Sequence, residues 1–115
     1  MPHIILQYTD NIKKGRNFNP LFSEIHSLLS NKAGIDPINC KSRAIKLTDF
    51  FIGEGDKPNA FVHLEIRIFQ GRTPVIKQGI GNEILKMLKN HFQENLNIQF
   101  TIEIVEMDKE LYFKS

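Results

Sequence analysis

Apolar residues recur along this chain with two different periods, and the switches between them set the order of its elements. The run Ile4, Ile5, Leu6 predicts a strand over residues 2–8, followed by a polar loop whose Lys13, Lys14, Gly15 and Arg16 read as a solvated turn. Phe18, Leu21, Phe22, Ile25, Leu28 and Leu29 then repeat at helical spacing up to Gly34, with Asn19 as the expected cap and Pro20 at the first helical position. Pro37 returns the chain to an extended path. A second strand over 39–47 carries Lys41, Arg43, Ile45 and Leu47 on one face and Cys40, Ser42 and Ala44 on the other.

The same order repeats after an insertion, 49–59, in which Gly53, Gly55 and Pro58 mark turns or a small hairpin. Over 60–69, Val62, Leu64, Ile66 and Ile68 alternate with His63, Glu65 and Arg67, which predicts a strand with one buried face. Gly71, Arg72, Thr73 and Pro74 form a tight strand-to-helix junction, with Thr73 as N-cap. The helix it opens runs to about residue 95 and presents Ile76, Ile80, Ile84, Met87, Leu88 and Phe92 on its apolar side. A last long strand over 98–106 points Ile98, Phe100, Ile102 and Ile104 inward, and 111–113 reads as a short terminal strand.

Two tandem β-α-β units imply an α+β fold: a four-stranded core sheet with both helices on one face, because crossovers between parallel strands are right-handed. The other face would carry Ile5, Gln7, Phe61, His63, Glu65, Arg67, Phe69, Thr101, Glu103 and Val105, too apolar for open water and too polar for a closed core. Burial in a symmetric homo-oligomer resolves that conflict.

Composition narrows the function classes. The 115 residues, 41% hydrophobic, predict a single domain over 1–115 with a substantial core. Fifteen basic against 13 acidic residues leave a net charge of +2, which gives no ground for nucleic acid as a partner. Cys40 is the sole cysteine, so neither an internal disulfide nor a thiolate metal cluster can form within one chain, and a cytoplasmic location is expected. No export signal or membrane-spanning run is evident. His3, His26, His63 and His91 are dispersed without metal-ligand spacing, so no metal is expected and their roles read as structural.

The most informative chemistry lies at position 2. Removal of Met1, which a small second residue permits, would leave Pro2 with a free secondary amine, a rigid base that no side chain imitates. Desolvation or neighbouring cations would favour its neutral form. Arg72, set by Gly71 beside a strand end, can grip a carboxylate through two parallel hydrogen bonds, and Lys41 and Arg43 point the same way from one strand face.

Pro2 in the opening MPHIILQYTDNI, Lys41-Ser42-Arg43-Ala44, the run NAFVHL at 59–64, Gly71-Arg72 and FTIEI at 100–104 together resemble the 5-carboxymethyl-2-hydroxymuconate isomerase family of the tautomerase superfamily. The resemblance spans nearly the whole chain. It implies a tautomerase-like fold, a homotrimer, an amino-terminal proline as general base, and a 1,3-proton shift in an unsaturated carboxylic acid in the breakdown of homoprotocatechuate, without metal or organic cofactor. Carried onto this sequence, it makes Pro2 and Arg72 catalytic and Lys41 and Arg43 substrate-binding, without choosing between the latter two. One departure is visible: the family has Arg, one residue, Arg and a small residue where this chain begins with Lys41. Other readings of the same residues are a phenylpyruvate-type tautomerase, a hydrolytic relative that activates water, or a ferredoxin-like binding module without catalysis. An RNA-binding version of the last lacks its aromatic and glycine pattern in 60–69.

Overall fold

The computed structural model describes residues 1–55 and 59–115. Its elements are β1 (His3–Thr9), α1 (Asn19–Ala33), β2 (Lys41–Leu47), β3 (Asn59–Phe69), α2 (Pro74–His91) and β4 (Asn97–Met107), with 3-10 turns at Pro37–Asn39 and Lys109–Leu111. The sheet order is β2-β1-β3-β4. β1 runs parallel to β2, β3 runs parallel to β4, and the two β-α-β units meet through the antiparallel pair β1 and β3.

The alternation in β1 and β3 divides the sheet into two faces of different character. Ile4, Leu6, Val62, Leu64 and Ile66 are fully buried against Leu21, Ile25 and Leu29 of α1 and Ile80, Ile84 and Leu88 of α2, in one continuous core. The alternate positions His3, Ile5, Gln7, Phe61, His63, Glu65, Arg67 and Phe69 are only half-buried, because no element covers them. The expected layout therefore holds, with both helices on one side.

Four local expectations change. Asn19 does not cap α1; Phe18 occupies that position without a side-chain cap, and the helix opens with Asn19 and Pro20. Phe18 is drawn there by aromatic packing, its ring 5.1 Å from Tyr8 and 6.1 Å from Phe92. Phe92 also ends α2 early: at His91 the chain turns extended so that Phe92 enters the core. Residues 37–39 form a turn capped by Asp36, whose carboxylate accepts the Ile38 N–H, so β2 starts only at Lys41. Likewise 111–113 adds no strand, because Asp108 closes the turn Lys109–Leu111 by accepting the Glu110 N–H.

Two loops complete the frame. In the insertion, the Gly55 N–H bonds the Ile52 carbonyl to close a turn, no strand forms over 49–55, and Asn59 already belongs to β3. Pro58 lies outside the described residues. The loop after β1 is less solvated than its composition suggests, since Arg16 donates to the carbonyls of Ile12 and Asp10 and lies over the Tyr8 ring. Among the described residues, no helix is long and apolar enough to cross a membrane.

Candidate active site

Backbone pairing brings Pro2, Lys41 and Arg72 to one end of the sheet, where β1 and β2 begin and β3 ends. Pro2 is buried just ahead of β1, and its carbonyl accepts the Lys41 N–H at 3.1 Å. That register sets His3 beside Lys41 on one side and beside Arg67 on the other. β3 stops two residues before Gly71, whose φ of 124° suits a residue without a side chain and turns the chain sharply toward α2.

Arg72 leaves this turn and reaches α1 rather than its own helix. Its Nη2 donates to the Ala33 carbonyl at 3.1 Å, one of the acceptors left open where Gly34, in a left-handed conformation, ends the helix. A cation is favoured at that end of the helix dipole, so the guanidinium is held in a fixed pose. One donor is used. The rest of its fork can serve an anionic ligand.

The charge at this end of the sheet is strongly one-sided. The Met1 amine is held below its usual value of 8.0 chiefly by burial; Cys40 is the next influence and opposes the shift, while the cations Arg72, Lys41 and Lys114 add to it. The Met1 Sδ lies 3.8 Å from the Lys41 Nζ and 4.0 Å from the Lys114 Nζ. Burial also raises the Cys40 thiol, which keeps it protonated and fits a packed rather than a reactive role.

Arg43 is separated from this group. Its Nη1 donates to His3 Nδ1 at 3.1 Å on the uncovered face, while Lys41 stays at the start of the chain. Because a guanidinium only donates, Nδ1 must be the acceptor, so the proton sits on Nε2 and is donated to the Tyr112 hydroxyl oxygen at 2.8 Å. His3 is correspondingly held neutral, its pKa lowered by burial and then by Arg43, Lys41, Arg67 and the terminal amine. Glu65 pairs with Arg67 at 3.1 Å on the same strand face.

The sequence pointed to neither His3, Tyr112 nor Lys114 as part of this neighbourhood. Strand alternation places His3 on the same face as Lys41 and Arg43, which is a usable signal. Tyr112 and Lys114 have none, because their approach depends on the turn after β4. The other histidines bond apart from the site, His26 to Ser42, His63 to Thr101 and His91 to the Gly15 carbonyl. Among the described residues, one groove of about 670 Å³ lies between α2 and β4 and one of about 400 Å³ between α1 and β2, and Pro2 lines neither.

The family described as 5-carboxymethyl-2-hydroxymuconate isomerase matches residues 2–115 of this chain. A 5-carboxymethyl-2-hydroxymuconate Delta-isomerase of Escherichia coli is 29% identical over 118 residues, covering 99% of this chain and 93% of that one. The crystal structure of a 5-carboxymethyl-2-hydroxymuconate isomerase from Deinococcus radiodurans R1 superposes with a TM-score of 0.85 at 28% identity, over 99% of this chain and 88% of that chain. The fold extends to a wild-type symmetric trimer of a fused 4-OT, with a TM-score of 0.69 at 12% identity over 96% of this chain and 91% of that one. The tautomerase-like α+β fold expected from the sequence is borne out.

Proposed function

The chain belongs to the 5-carboxymethyl-2-hydroxymuconate isomerase family, and from that premise we propose that Pro2, freed by removal of Met1, is the general base of a 1,3-proton shift in an unsaturated carboxylic acid, 5-carboxymethyl-2-hydroxymuconate. Enzymes of this type are isomerases that interconvert keto and enol forms, and this chain is one of them. The Pro2 nitrogen takes a proton from the enol acid, the electron pair shifts through the conjugated system, and the same nitrogen returns the proton at the far position. No net oxidation or reduction occurs. Arg72 stabilises the oxyanion that develops between the two transfers, and Lys41 holds a spectator carboxylate.

The observation that carries this reading is the environment of the amine at the head of β1. Burial and three cations disfavour charge on the Met1 amine and together outweigh the opposing influence of Cys40, and a Pro2 amine in its place would meet the same neighbours. Such surroundings shift the amine toward its neutral, basic form. Arg43 is the weaker substrate contact, because its Nη1 is committed to His3 and it is not among the cations that act on the terminal amine. The Lys41 departure keeps charge but loses the bidentate grip, which supports a preference among acids that differs from that of an arginine-bearing relative.

Assembly belongs to the same proposal. The half-buried mixed face and the free edges of β2 and β4 support a homotrimer, the state in which the fused 4-OT is described. The test pairs intact mass with activity on 5-carboxymethyl-2-hydroxymuconate and on a phenylpyruvate-type enol. Protein lacking Met1 should turn over the first faster, and protein retaining Met1 should be inactive, since an amide nitrogen cannot take the proton. Full activity with Met1 in place would refute the mechanism.

A further inference from the structure

We propose that residues 112–115 form one wall of the Pro2 site and that Lys114 supplies it with a third cation for an anionic substrate, an inference that rests on the isomerase reading above. After β4 the turn Lys109–Leu111, capped by Asp108, redirects the chain across the end of β3 toward the start of β1. Lys109 Nζ lies 5.6 Å from the centre of the Phe69 ring, and the Tyr112 ring meets that same ring edge-on at 5.4 Å. The Tyr112 hydroxyl then receives the His3 Nε2 proton at 2.8 Å.

Tyr112 is the anchor of this segment. Leu111 and Phe113 on either side are 73% and 84% exposed, so neither holds the chain by burial. Two residues beyond the anchor, Lys114 Nζ comes to 4.0 Å from the Met1 Sδ, on the residue whose removal would uncover the Pro2 nitrogen. Lys41 approaches the same sulfur, and Arg72 acts on the same amine. The groups facing that amine are therefore Arg72, Lys41, Lys114 and the protonated Cys40. Arg43 contributes indirectly: by donating to His3 Nδ1 it fixes the tautomer that offers Nε2–H to Tyr112. Tyr112 is thus a positioning residue, and Lys114 is the substrate contact.

A third cation matters most for a substrate with more than one carboxylate, since Arg72 serves the oxyanion and Lys41 a single carboxylate. The test uses protein lacking Met1 and the variants Lys114→Met, Lys114→Arg and Tyr112→Phe. The Pro2 amine is titrated by NMR, and KM and kcat are compared for an unsaturated 2-hydroxy dicarboxylate and the matching monocarboxylate. Lys114→Met should raise the pKa of the Pro2 amine and, with turnover measured above that pKa in both proteins, raise KM for the dicarboxylate about twofold to fivefold, the scale of a partly exposed charge pair, with little change in kcat or toward the monocarboxylate. Lys114→Arg should restore both readouts. Tyr112→Phe should shift both in the same direction as Lys114→Met by loosening the segment. An amine that titrates unchanged in Lys114→Met would overturn the inference whether or not the wild type turns over any acid. Inactivity of the wild type with an amine that does respond would instead refute the isomerase reading and leave Lys114 at the site.

Discussion

The two faces of the sheet are built from the same strands, yet one is finished within the chain and the other is not. On the helix side, Ile4, Leu6, Val62, Leu64 and Ile66 are sealed by α1 and α2, and their contribution to stability is local to one subunit. On the other side, the alternate residues of those strands remain partly exposed and are joined by polar contacts such as Arg43 to His3, His63 to Thr101 and Arg67 to Glu65. A face of that kind is stable enough to remain folded and too apolar to remain uncovered. The fold is thereby carried by one side of the sheet, and the proposed assembly by the other.

The sharpest way to break that division is to cut the sealed face. Leu64 is fully buried at the centre of β3, so Leu64→Ala should cost about 2 to 5 kcal/mol through lost burial and the cavity left behind. His63→Ala, next to it on the uncovered face, should change subunit stability by about 0.5 kcal/mol or less, the range of surface substitutions. Urea unfolding of both variants, with the denaturant slope unchanged, measures the contrast. Equal losses would show that the two faces do not divide the work.

Phe61→Asp sharpens the other half. Phe61 is half-buried in the single chain, so the substitution leaves the core intact but puts a carboxylate where the proposed trimer would bury it without a partner. Sedimentation should shift toward smaller species while the circular dichroism of the folded chain is kept. A variant that assembles as fully as the wild type would remove this face from the interface.

How much of this was legible in the sequence follows the same division. The sealed face was readable because burial on one side imposes a period of two on β1 and β3 and a period of 3.6 on the helices, and both are local patterns. The cap of α1 was misread because the pull on Phe18 comes from Tyr8 and Phe92, distant in sequence. Pro2, Lys41 and Arg72 could be proposed for one site from motif and strand position, and pairing does bring them to one end of the sheet. The parting of Lys41 from Arg43 could not be foreseen, since it depends on which one His3 recruits. Lys114 was still less accessible, because its approach is set by a turn and by a hydrogen bond between His3 and Tyr112, residues more than a hundred positions apart.

Histidines on the two faces give a finer comparison, with the smallest expected effect. His26 bonds Ser42 at 2.6 Å on the helix side, whereas His3 lies between Arg43 and Tyr112 on the uncovered side. Both are held below the ordinary value of 6.5, His26 by burial and His3 by burial and then by its neighbouring cations. In the unfolded chain each titrates near 6.5, so as pH falls below that value the unfolded state takes up protons that the folded state does not. Stability is therefore fully present above 6.5, declines below it, and reaches its lower level once pH has passed the folded values. His26→Gln should flatten that decline in the unfolding midpoint at every protein concentration, because the group acts within one subunit. His3→Gln should flatten it chiefly where the protein is assembled, since the face that desolvates His3 further is the one the trimer would cover. Midpoints measured against pH at two concentrations separate the two, and an identical response of both variants at both concentrations would put His3 outside the interface.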